Sequence, residues 1–535
     1  MTSTKRIVLL AAASAVLLAL VVALLIEHED GMTGLRARLR ELRTATVAAV
    51  MPVAVTAAPV ALPAAVPGPV PPTTFGIHVS SPGDNETFNN LAIGAAWSIQ
   101  AKAYAPWTPM PAEYQDESGN LKTIPAGMTA GFYLATPDRG KNGITVRCTF
   151  TGKATVWIEG PSIEGSVPQR SNDFKFRWTL REPKTVAQLN VKDMDPAHPL
   201  RDLDCRNSAI PRDQRFSANV LDIIKGFKVI RFMDWQNTND NNPVTWATRH
   251  LPGSGHVMQG DGVSIEDMLA LAKLNDSDPW FNMPWRADDD YVRHFAQMVH
   301  DQLPAGHIVY VELANEVWND GFPQGRAATK EGLDKHYSTD GQIANVAAYS
   351  EHLMHVMDIW RDVFADDPKR LVRVASGQAP NIYRTGLILN YKDLPRHVDA
   401  FAIAPYFSYD ATGMPEDVDE IYRRIPAGIE EQIKVSVQNK AMAHRVGLRL
   451  IAYESSQGLA MGNVELLQKV ERDPRMGEMT KRYMDAWRER VGDTMIVFGT
   501  AFPISVYGAW GLVEYLGQPA SEAPKLRAVR EELAR

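Results

Sequence analysis

His307-Ile308-Val309-Tyr310-Val311 is a strand-like run, and Leu313-Ala314-Asn315-Glu316-Val317-Trp318-Asn319 follows it directly. A second stretch repeats the plan: Leu448-Arg449-Leu450-Ile451-Ala452 leads into Tyr453-Glu454-Ser455. Each run ends in a glutamate. Two carboxylates at the C-terminal ends of two parallel strands can face each other across a barrel mouth. Cleavage of a glycosidic bond with retention needs such a pair, about 5–5.5 Å apart, one as acid and one as nucleophile.

Working outward, strands and helices alternate from about Arg212 onward. Ser217 to Phe227 reads as a helix and Lys228–Phe232 as a strand. Ser264-Ile265-Glu266-Asp267 is a helix-start signal, a hydroxyl followed by acids. Trp280–Met283 is the next strand, and Asp288 to Gln302 the next helix. Beyond the first glutamate, the pattern predicts a helix over 342–364 and strands at 371–375 and 398–403. It then predicts a helix over 416–443, one over 464–490, a strand at 495–498 and a closing helix near 522–534. With Phe75–Val79 as the first strand, this makes eight strand–helix units. Eight such units predict a (β/α)₈ TIM barrel, whose active site lies at the C-terminal ends of the strands. The two glutamates fall on strands four and seven.

Between the first strand and the rest, 95–210 reads as an inserted β-sandwich-like domain. Gly143–Phe150 and Ala154–Ile158, separated by Thr151-Gly152-Lys153, read as a hairpin. Phe174–Leu180 alternates like a further strand. The boundaries expected are 74–94 for the first strand and its loop, 95–210 for the insert and 211–535 for the remaining barrel.

Ile7 to Ile26 is a run of 20 uncharged residues. At about 1.5 Å per residue it spans a bilayer core of roughly 30 Å. It is long for the apolar part of a cleavable signal. The reading is a transmembrane anchor after a short cytoplasmic tail (1–6), with a secreted, signal-cleaved form as the alternative. Either way the remainder is exported, and with an anchor it is held at the inner membrane facing the periplasm or the outside. Residues 27–73 form a tether, Ala/Pro-rich from 44 onward, where proline favours extended backbone.

The net charge of −7 and the lack of basic clusters argue against nucleic acid as a partner. Cys148 and Cys205, the two cysteines, either pair in an exported chain or stay as free thiols. His78, His256 and His397 are scattered and form no metal motif. No Gly-x-Ser-x-Gly elbow or phosphate-binding glycine loop occurs. No cofactor is expected. Oligomeric state is left open.

The chain thus resembles the clan of retaining β-glycosidases built on the (β/α)₈ barrel, over about 74–90 and 210–535. In that clan an Asn-Glu pair ends strand four and a second Glu ends strand seven. The resemblance implies Glu316 as acid/base and Glu454 as nucleophile. It also implies Asn315 on the sugar 2-hydroxyl, Arg231 and Tyr406 beside the nucleophile, and Trp510 as an aromatic floor. A salt bridge from Arg231 to Asp234 is the plain alternative for that arginine. The phrase Val311–Asn319 is also similar to exported bacterial proteins labelled cellulose-binding or polysaccharide-associated.

Aromatic side chains at the expected mouth include Trp235, Trp246, Trp285, Trp318, Tyr406, Phe407, Tyr409, Tyr507 and Trp510. Flat rings bury the apolar C–H faces of pyranoses well. Asn237, Asn239, Asn241 and Asn242 add amides suited to hydroxyl recognition. Substrate contacts are expected from Trp318, Trp285, Trp235 and Trp510. The function expected is a retaining hydrolase of a β-linked polysaccharide or oligosaccharide. The alternatives are a non-catalytic polysaccharide-binding or biosynthesis-accessory protein, and a transglycosylase.

Overall fold

The computed structural model describes residues 70–82, 87–93, 97–116, 119–136, 143–164, 171–179, 186–239, 245–252, 262–409 and 417–535. The Ile7–Ile26 run and nearly all of the tether lie outside these residues. Among the described residues no helix is long and apolar enough to cross a membrane.

Eight parallel strands close into a barrel: Thr73–His78, Val229–Arg231, Asp278–Met283, Val309–Leu313, Leu371–Ser376, Ala400–Ile403, Arg449–Ser455 and Asp493–Phe498. The first pairs with the second and with the eighth, which completes the ring. Closure leaves no edge strand exposed.

Helices form where local signals start them. Ser217, Ser264 and Asp288 each accept a hydrogen bond from a backbone N–H three residues on. This satisfies donors that a helix leaves orphaned. The region 464–490 is two helices, Val464–Arg472 and Pro474–Arg490, because Pro474 cannot continue the first but suits the start of the second. A helix over Pro323–Asp334, not expected from the sequence, follows the fourth strand. The large core lies between these helices and the sheet.

Inside the ring a second cluster joins Val229, Trp280, Tyr310, Val374, Ala402, Ile451, Tyr453 and Ile496. Strand alternation puts every second residue in this lumen. On the first strand the lumen position is Gly76, and a Cβ there would meet Ile496 Cδ1 at 2.3 Å. The lumen is therefore filled with side chains and is not a pore.

The insert holds a four-stranded and a five-stranded sheet. One core takes Val146, Phe150, Phe176 and Trp178 from the first and Phe132, Val156, Leu189 and Val191 from the second. This is a sandwich. The expected hairpin is not there. Ile144–Thr151 pairs with Asp173–Trp178 and Arg201–Asn207, whereas Thr155–Glu159 pairs with Gln188–Lys192 in the other sheet. Short turns suit hairpins, but here the chain crosses between sheets. Gly152 makes the crossing at φ 97°, and a Cβ would strike Pro199 O at 2.2 Å. Cys148 and Cys205 sit opposite each other on paired strands and form a disulfide.

Candidate active site

Glu454 lies in the seventh strand and Glu316 three residues past the fourth. Both are at the C-terminal face, with only 2% and 3% of their surface exposed. Their placement uses two backbone irregularities. Between Ala452 and Ser455 the seventh strand takes three steps while the eighth takes two, from Met495 to Val497. The extra residue is a bulge, which breaks the alternation. Tyr453 and Glu454 therefore both reach the site. Past the fourth strand, Ala314 and Glu316 adopt left-handed backbone, φ 54° and 44°. Such conformations cost about 1–3 kcal/mol each and cluster at functional sites.

Arg231, fully buried, ends the second strand and links the two glutamate strands. Its Nη1 donates to Glu454 Oε1 at 2.7 Å. Its Nη2 donates to Asn315 Oδ1 at 3.0 Å and to Glu312 Oε2 at 2.9 Å. Asp234 is not its partner: His78 Nε2 lies 3.0 Å from Asp234 Oδ2. Burial works against the guanidinium charge, but Glu312 and Glu454 outweigh it and raise the pKa.

Tyr406 donates to Glu454 Oε2 at 2.9 Å. Burial first, then the Glu454 charge, hold its hydroxyl well above the ordinary tyrosine value. Glu454 thus has a donor on each oxygen, which fixes the orientation of its carboxyl group.

Glu316 is treated differently. Asn319 Nδ2 donates to its Oε2 at 3.0 Å, and Tyr453 OH reaches Oε1 at 3.4 Å. Burial, and after it the Glu454 charge, push its carboxyl up to about 8. Glu312, Glu316 and Glu454 share one arginine, so protonating Glu316 relieves the excess negative charge. A raised-pKa carboxyl such as Glu316 can serve as a general acid at neutral pH.

Glu312 was not singled out from the sequence. It is fully buried, and its Oε2 accepts from Arg231, Trp280 Nε1 at 3.1 Å and Asn282 Nδ2 at 2.9 Å. A charged residue within an otherwise apolar parallel strand, Val309–Leu313, was the available signal. Phe498, at the end of the eighth strand, was also missed. It contacts His78 at 4.5 Å and Tyr406 at 6.2 Å between ring centroids.

Trp510 stands edge-on to Phe498 at 6.4 Å and is 7% exposed. Trp285 meets His352 edge-to-face at 4.6 Å. Trp318 is partly buried and its Nε1 finds no acceptor. Trp235 is a correction. It has no exposed surface, packs on Phe88, Phe216 and Phe232, and its Nε1 donates to Ser80 O at 3.1 Å. A ring sealed in the core with its N–H satisfied cannot touch a sugar. Trp246 stacks on His294 beneath the Arg249 guanidinium. Asn239 Oδ1 accepts from Asn315 Nδ2 at 3.2 Å and Gln324 Nε2 at 2.8 Å. Asn241 and Asn242 lie outside the described residues. Among the described residues no cluster of His, Cys, Asp and Glu is built to hold a metal.

No family model and no curated protein matches the sequence. Solved structures similar to the chain include a glucuronidase, a xylanase and a mannanase. A 4-O-α-L-rhamnosyl-β-D-glucuronidase from Fusarium oxysporum is 14% identical at a TM-score of 0.37, covering 59% of this chain. The chain spans 63% of that enzyme's length. Xylanase10C from Cellvibrio japonicus, complexed with xylopentaose, is 10% identical at 0.34, covering 82% of this chain and 97% of its own. A modular endo-β-1,4-mannanase from Cellulomonas fimi is 11% identical at 0.33, covering 57% and 62%. What this site can do follows from its own geometry.

Proposed function

We propose that the protein is a glycoside hydrolase that cleaves a β-linked glycan with retention of configuration. One observation carries this reading. Two buried carboxyl groups share a barrel mouth: burial and the Glu454 charge raise the Glu316 pKa, while Arg231 and Tyr406 each donate to an oxygen of Glu454. Glu454 attacks the anomeric carbon while Glu316 gives its proton to the leaving oxygen. The Glu454–carbon bond forms as the glycosidic bond breaks. Glu316, now ionised, takes a proton from water. That water attacks the anomeric carbon and frees Glu454. Arg231 and Tyr406 hold Glu454 aimed through a hydrogen bond to each of its oxygens, and Asn315 meets the sugar 2-hydroxyl. Trp510, Trp318 and Trp285 supply apolar faces for sugar rings.

We place the catalytic part outside the cytoplasm, held by the Ile7–Ile26 segment. The Cys148–Cys205 disulfide supports an oxidising compartment.

The test incubates the protein with β-glucan, xylan, mannan and galactan and assays new reducing ends, beside Glu316→Gln and Glu454→Gln. General acid–base catalysis contributes about 10²–10⁴-fold, and Glu316→Gln should lose at least that. Glu454→Gln should be inactive. Proton NMR of the first product should show the starting anomer. Inverted product, or full activity in either variant, would overturn the mechanism.

A further inference from the structure

We infer that Arg384 receives a carboxylate of the substrate, so that the glycan taken by this site carries uronic acid units. The inference rests on the glycosidase reading and adds a substrate class to it.

Arg384 lies in the first turn of the helix Ile382–Leu389, which follows the fifth strand. That places it at the C-terminal face, where the glutamates are. Its Nη1 donates to Asn345 Oδ1 at 2.9 Å. Asn345 Nδ2 in turn donates to Val317 O at 3.0 Å and Gly325 O at 3.1 Å. Arg384 is therefore one side chain away from the loop that begins at Glu316.

Among the described residues its charge has no ion-pair partner, and Asp320 acts on it from farther off. A guanidinium offers five N–H donors. Among the described residues, Asn345 is the one hydrogen-bond acceptor it has, and no carboxylate lies within ion-pair distance. Other buried arginines of this chain are paired: Arg206 with Asp204 at 2.6 Å, and Arg231 with Glu312 and Glu454. Arg384 is as buried as Arg206, each 7% exposed. Burial presses its pKa down to about 10, with Asp320 acting weakly the other way, so it stays charged at neutral pH.

A buried charge without a partner is costly and calls for one. The planar fork matches a carboxylate with two parallel hydrogen bonds. A sugar hydroxyl would accept a bond but leave the charge uncompensated. The same loop holds a second unmet donor, the buried Nε1 of Trp318. Among the described residues the remaining N–H groups of Arg384 and the buried Nε1 of Trp318 have no acceptor, and both sit on segments that Asn345 ties to the loop after Glu316, so an acceptor-rich group brought by the ligand fits them.

The experiment uses the full protein with glucuronoxylan, poly-β-D-mannuronate and β-1,4-glucuronan. Each is set beside the same polymer with its carboxyls reduced to alcohols. The parent should favour one acidic polymer over its reduced form by at least about tenfold in kcat/KM, a factor that corresponds to 1.4 kcal/mol. Arg384→Gln should bring that ratio near one, and Arg384→Lys, which keeps charge without the fork, should fall between. Equal use of both forms by the parent, or a ratio that survives Arg384→Gln, overturns the inference. Calorimetric binding of the acidic and reduced oligosaccharides to Glu316→Gln gives the same comparison without turnover. A protein that binds the acidic form selectively but cleaves nothing would refute the hydrolase and leave Arg384 standing.

Discussion

Tyr453 and Glu454 are neighbours in the chain, yet both point into the site and serve opposite carboxylates. Tyr453 OH approaches Glu316 at 3.4 Å, whereas Glu454 takes Arg231 Nη1 at 2.7 Å. On a regular strand consecutive side chains face opposite ways. The bulge at 452–455 is what lets one strand end supply both groups.

The Glu454 charge is the second cause, after burial, of the raised Glu316 pKa. Glu454→Gln should therefore lower the Glu316 pKa, read by carboxyl-selective carbon NMR. In the parent, the alkaline limb of kcat/KM should fall near pH 8, since Glu316 must be protonated to act. An alkaline limb that ignores the state of Glu316 would refute its role as acid.

The same shift has a stability sign. The carboxyl is raised from 4.5 to about 8 on folding. The stability it contributes is fully present below pH 4.5 and is lost as pH rises through 8. Glu316→Gln removes that dependence. Its melting temperature relative to the parent should rise between pH 4 and pH 9. A constant difference across that range would contradict the shift.

Glu312 anchors Arg231 from beneath. Glu312→Leu leaves a buried guanidinium half-paired, and breaking a buried pair costs about 3–5 kcal/mol. Denaturant unfolding should show a loss of that order. Glu312→Gln keeps the shape but removes a negative charge, which should draw the Glu316 pKa down and move the alkaline limb to lower pH.

The disulfide closes a sequence separation of 57 residues within the insert. Chain-entropy reasoning gives about 4 kcal/mol for a loop of that size. Cys148→Ser with Cys205→Ser should lower the unfolding transition of the insert by that order. Glu316 and Glu454 lie on barrel strands, so the carboxyl titrations should not move.

Gly152→Ala should also destabilise the insert, by more than about 1 kcal/mol, because alanine fits neither the positive φ nor the space beside Pro199. A melting curve equal to the parent's would mean the crossing can rearrange.

Much of the barrel could be read from the chain because each strand is a short apolar run closed by a helix-start signal such as Ser264 or Asp288. The two glutamates stood out because each follows such a run. Glu312 did not, since strand periodicity tells which side a residue faces but not what it meets there. Trp235 looked like a mouth residue because it follows the second strand, but the chain folds its ring back onto Phe88 and Phe216, far away in sequence. The Gly152 turn was misread because a three-residue link looks alike whether the next strand pairs beside the last or crosses to another sheet.

The first strand is made first and completed last. Thr73–His78 must wait for Val229–Arg231 on one side and for Asp493–Phe498 on the other. At about 5–20 residues per second of synthesis, the sandwich between them emerges whole long before the ring can shut. A chain cut short before residue 493 would leave an apolar strand with an open flank, a ready template for sticking to other chains. Quality control of this protein thus falls on its last strand.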